Sequence, residues 1–398
     1  MQRKRIGTPD GTTTLTQELS RRGFLHGALA GVAGAAALGG GKTAQAALSK
    51  GADTLDVRTN GTYATLPLGK DSIRLGVVQS RVRPVEAADP AVGRKENLEH
   101  MLMLTQQAQE WNAVNDILFF HEFPITGFRY EWTRKEVNRI AIESPGEETE
   151  AIGAMAKKYG CYMVFGSYVN DKDWPGHVIS MTHVIGPDGK ILDRHWKARN
   201  IMGVFAAGAT PIELMTTTIY NVLDRYIEMY GADAVVPVLR TPIGNICTSS
   251  IQREPELFRC MALKGGEIIL RTATGGFSPW DIQASAAYNG IYTAVCNNAV
   301  SPGARLFEDA GGGGSAIYSP SGEVLAEARS EHEQLVTAPI PIKQFRDRHH
   351  VPEFCWPIYQ PVMDKYQPKY PPSKLSKYLP IDLRDAGKYL RDPKNTNW

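Results

Sequence analysis

The feature that most constrains the fold is a change of texture at Ile73. From there to Tyr318, short apolar runs alternate with longer stretches of helical spacing. Ile73–Val78, Asp116–Phe120, Cys161–Tyr168, Glu267–Arg271, Thr293–Asn297 and Ser315–Tyr318 read as strands. Each is short, apolar and bounded by polar or turn residues. Glu96–Asn112 carries Leu98, Met101, Leu102, Leu104 and Ala108 at helical spacing, and Glu148–Tyr159, Glu254–Lys264 and Asp281–Asn289 read as further helices. His183–Leu192 folds back on itself about Pro187-Asp-Gly189, a hairpin signal, and Ser319–Leu325 forms a second turn-and-strand unit. Such alternation predicts an α/β domain whose sheets are covered by helices. The pattern leaves the order of strands open.

The first residues belong to a different class of segment. Ser20-Arg-Arg-Gly-Phe-Leu25 follows a stretch with Arg3, Lys4 and Arg5, and precedes the Ala/Gly-rich, weakly apolar residues 26–41 and the small-x-small pattern Ala44-Gln-Ala46. This is the layout of a twin-arginine signal peptide. Residues 1–46 are therefore expected to be an export signal read by the twin-arginine translocation machinery, and the destination to be periplasmic or extracellular. So many glycines argue against a buried helix, and the stretch lacks the roughly 20 strongly apolar residues of a membrane span. Five scattered cysteines (161, 247, 260, 296 and 355) without C-x-x-C spacing read as free thiols. A net charge of +2 with no later Lys/Arg run gives no reason to expect a nucleic-acid partner.

Three segments carry the chemistry. Glu122 ends the run Asp116-Ile-Leu-Phe-Phe-His-Glu122 and precedes Phe123-Pro-Ile-Thr-Gly127; Lys197 ends Gly189-Lys-Ile-Leu-Asp-Arg-His-Trp-Lys197. The third reads Gly244-Asn-Ile-Cys-Thr-Ser-Ser-Ile-Gln-Arg-Glu-Pro-Glu256. Together they resemble the nitrilase superfamily of carbon–nitrogen hydrolases, in which a Glu, a Lys and a Cys attack amides or nitriles. The resemblance runs over the whole of residues 73–345. It implies a four-layer α-β-β-α sandwich, no metal or other cofactor, and a homo-oligomer (a dimer or higher).

In that family the nucleophilic Cys precedes a Pro-Glu pair by six and seven residues. Counting back six from Pro255 reaches Ser249. A two-residue deletion in the strand explains this and keeps side chains on their faces. Making Cys247 the nucleophile requires a longer deletion and an insertion in the elbow. Ser249 is thus read at the nucleophile position, with Cys247 the alternative. An alcohol is far less acidic than a thiol, so the substitution leaves three outcomes open: an oxygen nucleophile, a decayed enzyme and a non-catalytic ligand-binding protein. The resemblance makes Glu122 a general base and Lys197 an oxyanion stabiliser, against the plainer readings of a solvated strand end and a surface lysine or partner of Asp193.

Weaker candidates follow. Glu228 matches the family's second glutamate or lies on a solvated helix face; Ser250 would lend a backbone N–H to the oxyanion. Arg271, whose context resembles the aliphatic amidase and formamidase branch, either binds a carboxylate or pairs with Glu267. Asn297 and Asn298 read as satisfied structural amides, and Gly311–Gly314 lacks the Lys-Ser/Thr of a phosphate cradle. Residues 47–72 form a polar lead-in. Residues 198–240 form an insertion with an amphipathic helix at Tyr220–Tyr230. Residues 346–398 form a Pro/Tyr-rich tail expected to lie extended on a surface.

Overall fold

The computed structural model describes residues 55–398 except 112, 130, 201–215, 304–311 and 375–377, all within the unit Gln45–Trp398. The proposed signal segment and the start of the lead-in lie outside the described residues.

Two sheets form the centre. The first holds seven strands: β1 (Ile73–Gln79), β2 (Ile117–Phe120), β3 (Ile142–Glu143), β4 (Tyr162–Asn170), β5 (Ile179–Ile185), β6 (Ile191–Trp196) and β13 (Gln334–Ile340). Its order is β13-β1-β2-β4-β5-β6, with β3 paired to β4. The second holds β7 (Leu239–Thr241), β8 (Gly244–Ser249), β9 (Ile268–Thr272), β10 (Tyr292–Cys296), β11 (Ala316–Tyr318) and β12 (Val324–Glu327), in the order β12-β11-β10-β9-β8-β7. In each sheet the central strands run parallel and the hairpin strands antiparallel.

Alternation along the strands decides the layers. Leu75, Val77, Phe119 and Val164 of the first sheet meet Ile246, Leu270, Ala294 and Ile317 of the second in one apolar cluster. The intervening Leu118, Phe120, Met163 and Phe165 face outward, against Met101 and Ala108 of α1 (Pro90–Glu110) and Ile152 and Ala156 of α3 (Glu147–Tyr159). On the far side, Cys247 and Ile269 pack on Phe258, Met261 and Ala262 of α5 (Pro255–Leu263). Val295 and Ala316 pack on Ile282 and Ala286 of α6 (Pro279–Asn289). The layers are therefore helix, sheet, sheet, helix, as the resemblance implied. Full burial of each Val, Leu, Ile, Phe or Met side chain among these stabilises by about 1.5–3 kcal/mol.

Some elements differ from the sequence reading. Helix α1 starts at Pro90, six residues earlier than its apolar spacing suggested, because proline suits the first helical position. Helix α2 (Arg134–Ile140) escaped notice, although Thr133 and Glu136 form a capping box at its start. The tail is not simply extended. Beyond α7 (Ile342–Arg346) it contains α8 (Trp356–Met363), which has Pro361 inside it and no buried residue, and α9 (Leu383–Arg391), capped by Asp382. Pro357 in the first turn of α8 costs no helical bond, and dense charge in α9 hides its buried pair Ala386 and Leu390. Between the two helices Tyr370–Pro372 is non-helical, as expected.

Candidate active site

Glu122 and Lys197 form a buried ion pair. Glu122 follows β2 and Lys197 follows β6, which places both at one end of the first sheet. Lys197 Nζ donates to Glu122 Oε1 at 3.1 Å, and the two side chains are 4% and 8% exposed. Lys197 is thus neither a surface lysine nor the partner of Asp193. The second carboxylate oxygen, Glu122 Oε2, accepts from Thr274 Oγ1 at 2.8 Å. Thr274 follows β9, so the pair is bonded across to the second sheet. Backbone packing fixes Glu122 further: a Cβ on Gly166 of β4 would lie 2.3 Å from its carbonyl oxygen.

The neighbouring His121 is fully buried, and burial pushes its pKa down to about 3 against the opposing pull of Glu333. It is neutral at neutral pH. Its Nδ1 accepts from the Phe123 backbone N–H at 3.3 Å. Phe123 stacks on Tyr168 and Phe128, giving the loop after Glu122 an aromatic wall.

Ser249 is the last residue of β8 and is buried. Its Oγ accepts from the Ile251 backbone N–H at 3.1 Å, closing the elbow on itself. Among the described residues, no hydrogen bond joins Ser249 to Glu122 or Lys197. The segments are linked nearby instead. Arg199, two residues past Lys197, donates from Nε to Glu254 in the elbow at 2.6 Å. One residue before Ser249, Thr248 Oγ1 lies 2.7 Å from His195 Nδ1, and His195 Nε2 lies 2.9 Å from Asp193 Oδ2. This Asp–His–Thr chain crosses between the sheets and was not foreseen from the sequence. Its signal was the alternation Asp193, His195, Lys197 along one strand face.

Cys247 occupies a different environment. It is fully buried in the apolar layer between β8 and α5, and burial pushes its thiol up to about 12. Cys161 is likewise raised to about 11, and Cys296 well above the ordinary thiol range, again by burial. All five cysteines are free.

Arg271 corrects one expectation. It pairs with Asp281 Oδ2 at 2.7 Å, not with Glu267, and donates to the Ile251 carbonyl at 2.5 Å and to Ser285 Oγ at 3.2 Å. Its guanidinium also lies 4.0 Å from the Phe258 ring centroid. Glu267 is taken by Arg346, Tyr63 and the Asn245 N–H. Arg271 therefore braces the elbow from below. Glu228 is exposed on α4 (Leu223–Tyr230), matching the solvated-face reading, and Ser250 is half-buried in the elbow.

Two polar segments close the surroundings. Ile219 N–H donates to the Lys197 carbonyl, and the tail docks just beyond, where Ser373 N–H donates to the Tyr220 carbonyl and Tyr220 Oη to the Tyr370 carbonyl. The tail also reaches α2, with Arg134 donating to the carbonyls of Pro380 and Ile381.

The carbon–nitrogen hydrolase family profile matches residues 74–349. The chain is similar to a bifunctional nitrilase/nitrile hydratase (NIT4A) of Lupinus angustifolius, 28% identical over 51% of this chain and 58% of that protein. It is also similar to an omega-amidase (NIT2) of Xenopus tropicalis, 27% identical over 70% of this chain and 92% of that protein. Among solved structures it is similar to a mutant of the Nesterenkonia AN1 amidase from the nitrilase superfamily, with a TM-score of 0.48, 18% identity, and coverage of 71% of this chain and 96% of that one. With the profile matched over more than half its length, the chain belongs to the carbon–nitrogen hydrolase family of the nitrilase superfamily.

Proposed function

We propose that this protein is an exported hydrolase of a small amide, using Ser249 as an oxygen nucleophile, Glu122 as base and Lys197 as oxyanion stabiliser. The observation that carries the reading is the buried Glu122–Lys197 pair, bonded to Thr274 at the end of the two-sheet core. An ion pair with so little exposure is costly to bury, and family membership gives it a catalytic reason to be there. The burial of Cys247 in the α5 layer supports Ser249 over Cys247, since a thiol raised to about 12 is almost entirely protonated at neutral pH.

In this mechanism Ser249 Oγ attacks the amide carbonyl carbon while its proton passes to Glu122. Lys197 holds the developing oxyanion. The C–N bond breaks, and Glu122 returns the proton to the departing ammonia or amine. Water then attacks the acyl ester, losing a proton to Glu122, and Ser249 recovers a proton as the acid leaves. The omega-amidase similarity, which spans most of that relative, favours an amide over a nitrile. Arg271, held by Asp281 and the elbow, lends no support to a place in the aliphatic amidase and formamidase branch.

A second reading is a non-catalytic protein that binds a ligand at the same residues. It is favoured by Glu122, whose bonds run to Lys197 and Thr274 and, among the described residues, not to Ser249. Ammonia release from a broad amide and nitrile panel separates the two, measured for the parent, Ser249→Ala, Cys247→Ala and Glu122→Gln. Activity lost with Ser249→Ala and kept with Cys247→Ala supports the oxygen nucleophile. The reverse makes Cys247 the nucleophile, and an inactive parent favours binding.

Twin-arginine export to the periplasm or cell exterior and self-association complete the proposal. The motif Arg21-Arg22 supports the first. The second draws support from α8, whose Ile358 and Val362 are exposed. Fractionation of an Arg21→Lys/Arg22→Lys variant tests export, and sedimentation tests assembly.

A further inference from the structure

Thr274 joins the proposed base to a loop that the elbow grips. Its hydroxyl donates to Glu122 Oε2 at 2.8 Å, leaving Oε1 to Lys197. The loop that carries it is clamped on two sides. Asn298 Oδ1 accepts from the Gly275 N–H at 2.7 Å, and Asn297 Nδ2 donates to the Gly275 carbonyl at 2.8 Å. Both asparagines are buried, and Gly275 has a φ of 69°, a conformation that disfavours other residues. On the other side Gln252 of the elbow donates to the Gly276 carbonyl at 3.3 Å and accepts from the Ser278 N–H at 2.9 Å.

These bonds make one rigid unit. Two consecutive buried amides grip the peptide next to Thr274, and the elbow grips the following turn. A carboxylate held by two donors has its plane fixed, so the direction from which it can take a proton is fixed as well. We propose that Thr274 is a positioning residue of the hydrolytic reaction, orienting Glu122 toward the nucleophile carried by the elbow. The inference rests on Glu122 acting as the base, and it deepens that reading.

The test compares the full chain with Thr274→Val, Thr274→Ser and Glu122→Gln, using whichever amide of the panel is turned over best. Thr274→Val keeps shape and removes the hydroxyl. Losing a hydrogen bond to a charged group is expected to lower kcat about 10- to 100-fold. KM should stay within about twofold, because substrate binding does not need this bond. Thr274→Ser should restore most of kcat, and both variants should keep the parent's thermal midpoint to within a few degrees.

Unchanged kcat in a folded Thr274→Val, beside an inactive Glu122→Gln, overturns the positioning role and leaves the base intact. A raised KM at parental kcat overturns it too, in favour of a substrate contact. Failure of Thr274→Ser to recover activity points to packing by the methyl group and equally overturns it. A parent without turnover removes the hydrolase reading itself, and the positioning role with it.

Discussion

Thr248 Oγ1 lies 2.7 Å from His195 Nδ1, so the strand that ends in Ser249 is bonded to the strand that leads to Lys197, one residue short of the first and two short of the second. Both side chains are buried. Thr248→Val removes the bond without changing shape and leaves a buried ring nitrogen without its partner. The expected loss is about 1–3 kcal/mol of stability, readable by urea denaturation. Activity should fall with it, because the elbow and Lys197 lose a shared anchor.

Arg271 offers a sharper separation of roles. As the buried partner of Asp281, its replacement in Arg271→Met strands a carboxylate and is expected to destabilise by about 3–5 kcal/mol. The double change Arg271→Met/Asp281→Leu should recover much of that loss. A stable single variant that only raises KM for carboxylate-bearing amides would show instead that Arg271 binds substrate.

Thiol chemistry follows burial. Cys260 and Cys355 are exposed, whereas Cys161, Cys247 and Cys296 are buried; burial raises the pKa of these three and, with Glu256 nearby, that of Cys260. Alkylation of the native protein at neutral pH should modify Cys260 and Cys355 and spare the other three, as read by mass mapping. Rapid modification of Cys247 in the folded state would contradict its placement in the α5 layer.

Acid should unfold the chain through its histidines. Burial depresses His121 and His183 to about 3, below the ordinary value near 6.5. In the window between these values the unfolded chain binds more protons, so stability rises with pH there. It is fully present above about pH 6.5 and is lost as pH falls toward 3, by about 1.4 kcal/mol per pH unit for each such histidine. Replacing His183 by Gln should flatten the measured dependence of unfolding free energy on pH over that window.

The tail binds Tyr220, whose neighbour Ile219 is bonded to the Lys197 carbonyl, and Arg134 of α2. Ending the chain at Tyr366 removes these bonds. The shortened protein is expected to have a lower thermal midpoint and reduced turnover, measured by calorimetry and ammonia release. Full activity in the shortened chain would make the tail dispensable for the site.

Much of the architecture was legible in the sequence because its signals are local. Short apolar runs marked the strands β1, β2, β4, β9 and β10, and the Pro187-Asp-Gly189 turn marked the β5–β6 hairpin. Helix α2 was missed because it is short and its capping box was not sought. Helix α8 was missed because prolines obscure its periodicity, and α9 because charges do.

The sequence by itself also determined which residues sit at strand ends: Glu122 after an apolar run, Lys197 after a hairpin, Ser249 six residues before Pro255. Tertiary structure alone decided their partners. Thr274 lies 152 residues from Glu122, and Asp281, not Glu267, holds Arg271. Cys247 and Ser249, two residues apart on one strand, differ in environment because one faces a packed helix and the other begins a turn. Hydrogen bonds and desolvation act between neighbours in space, and two stacked sheets bring together neighbours that no local pattern names.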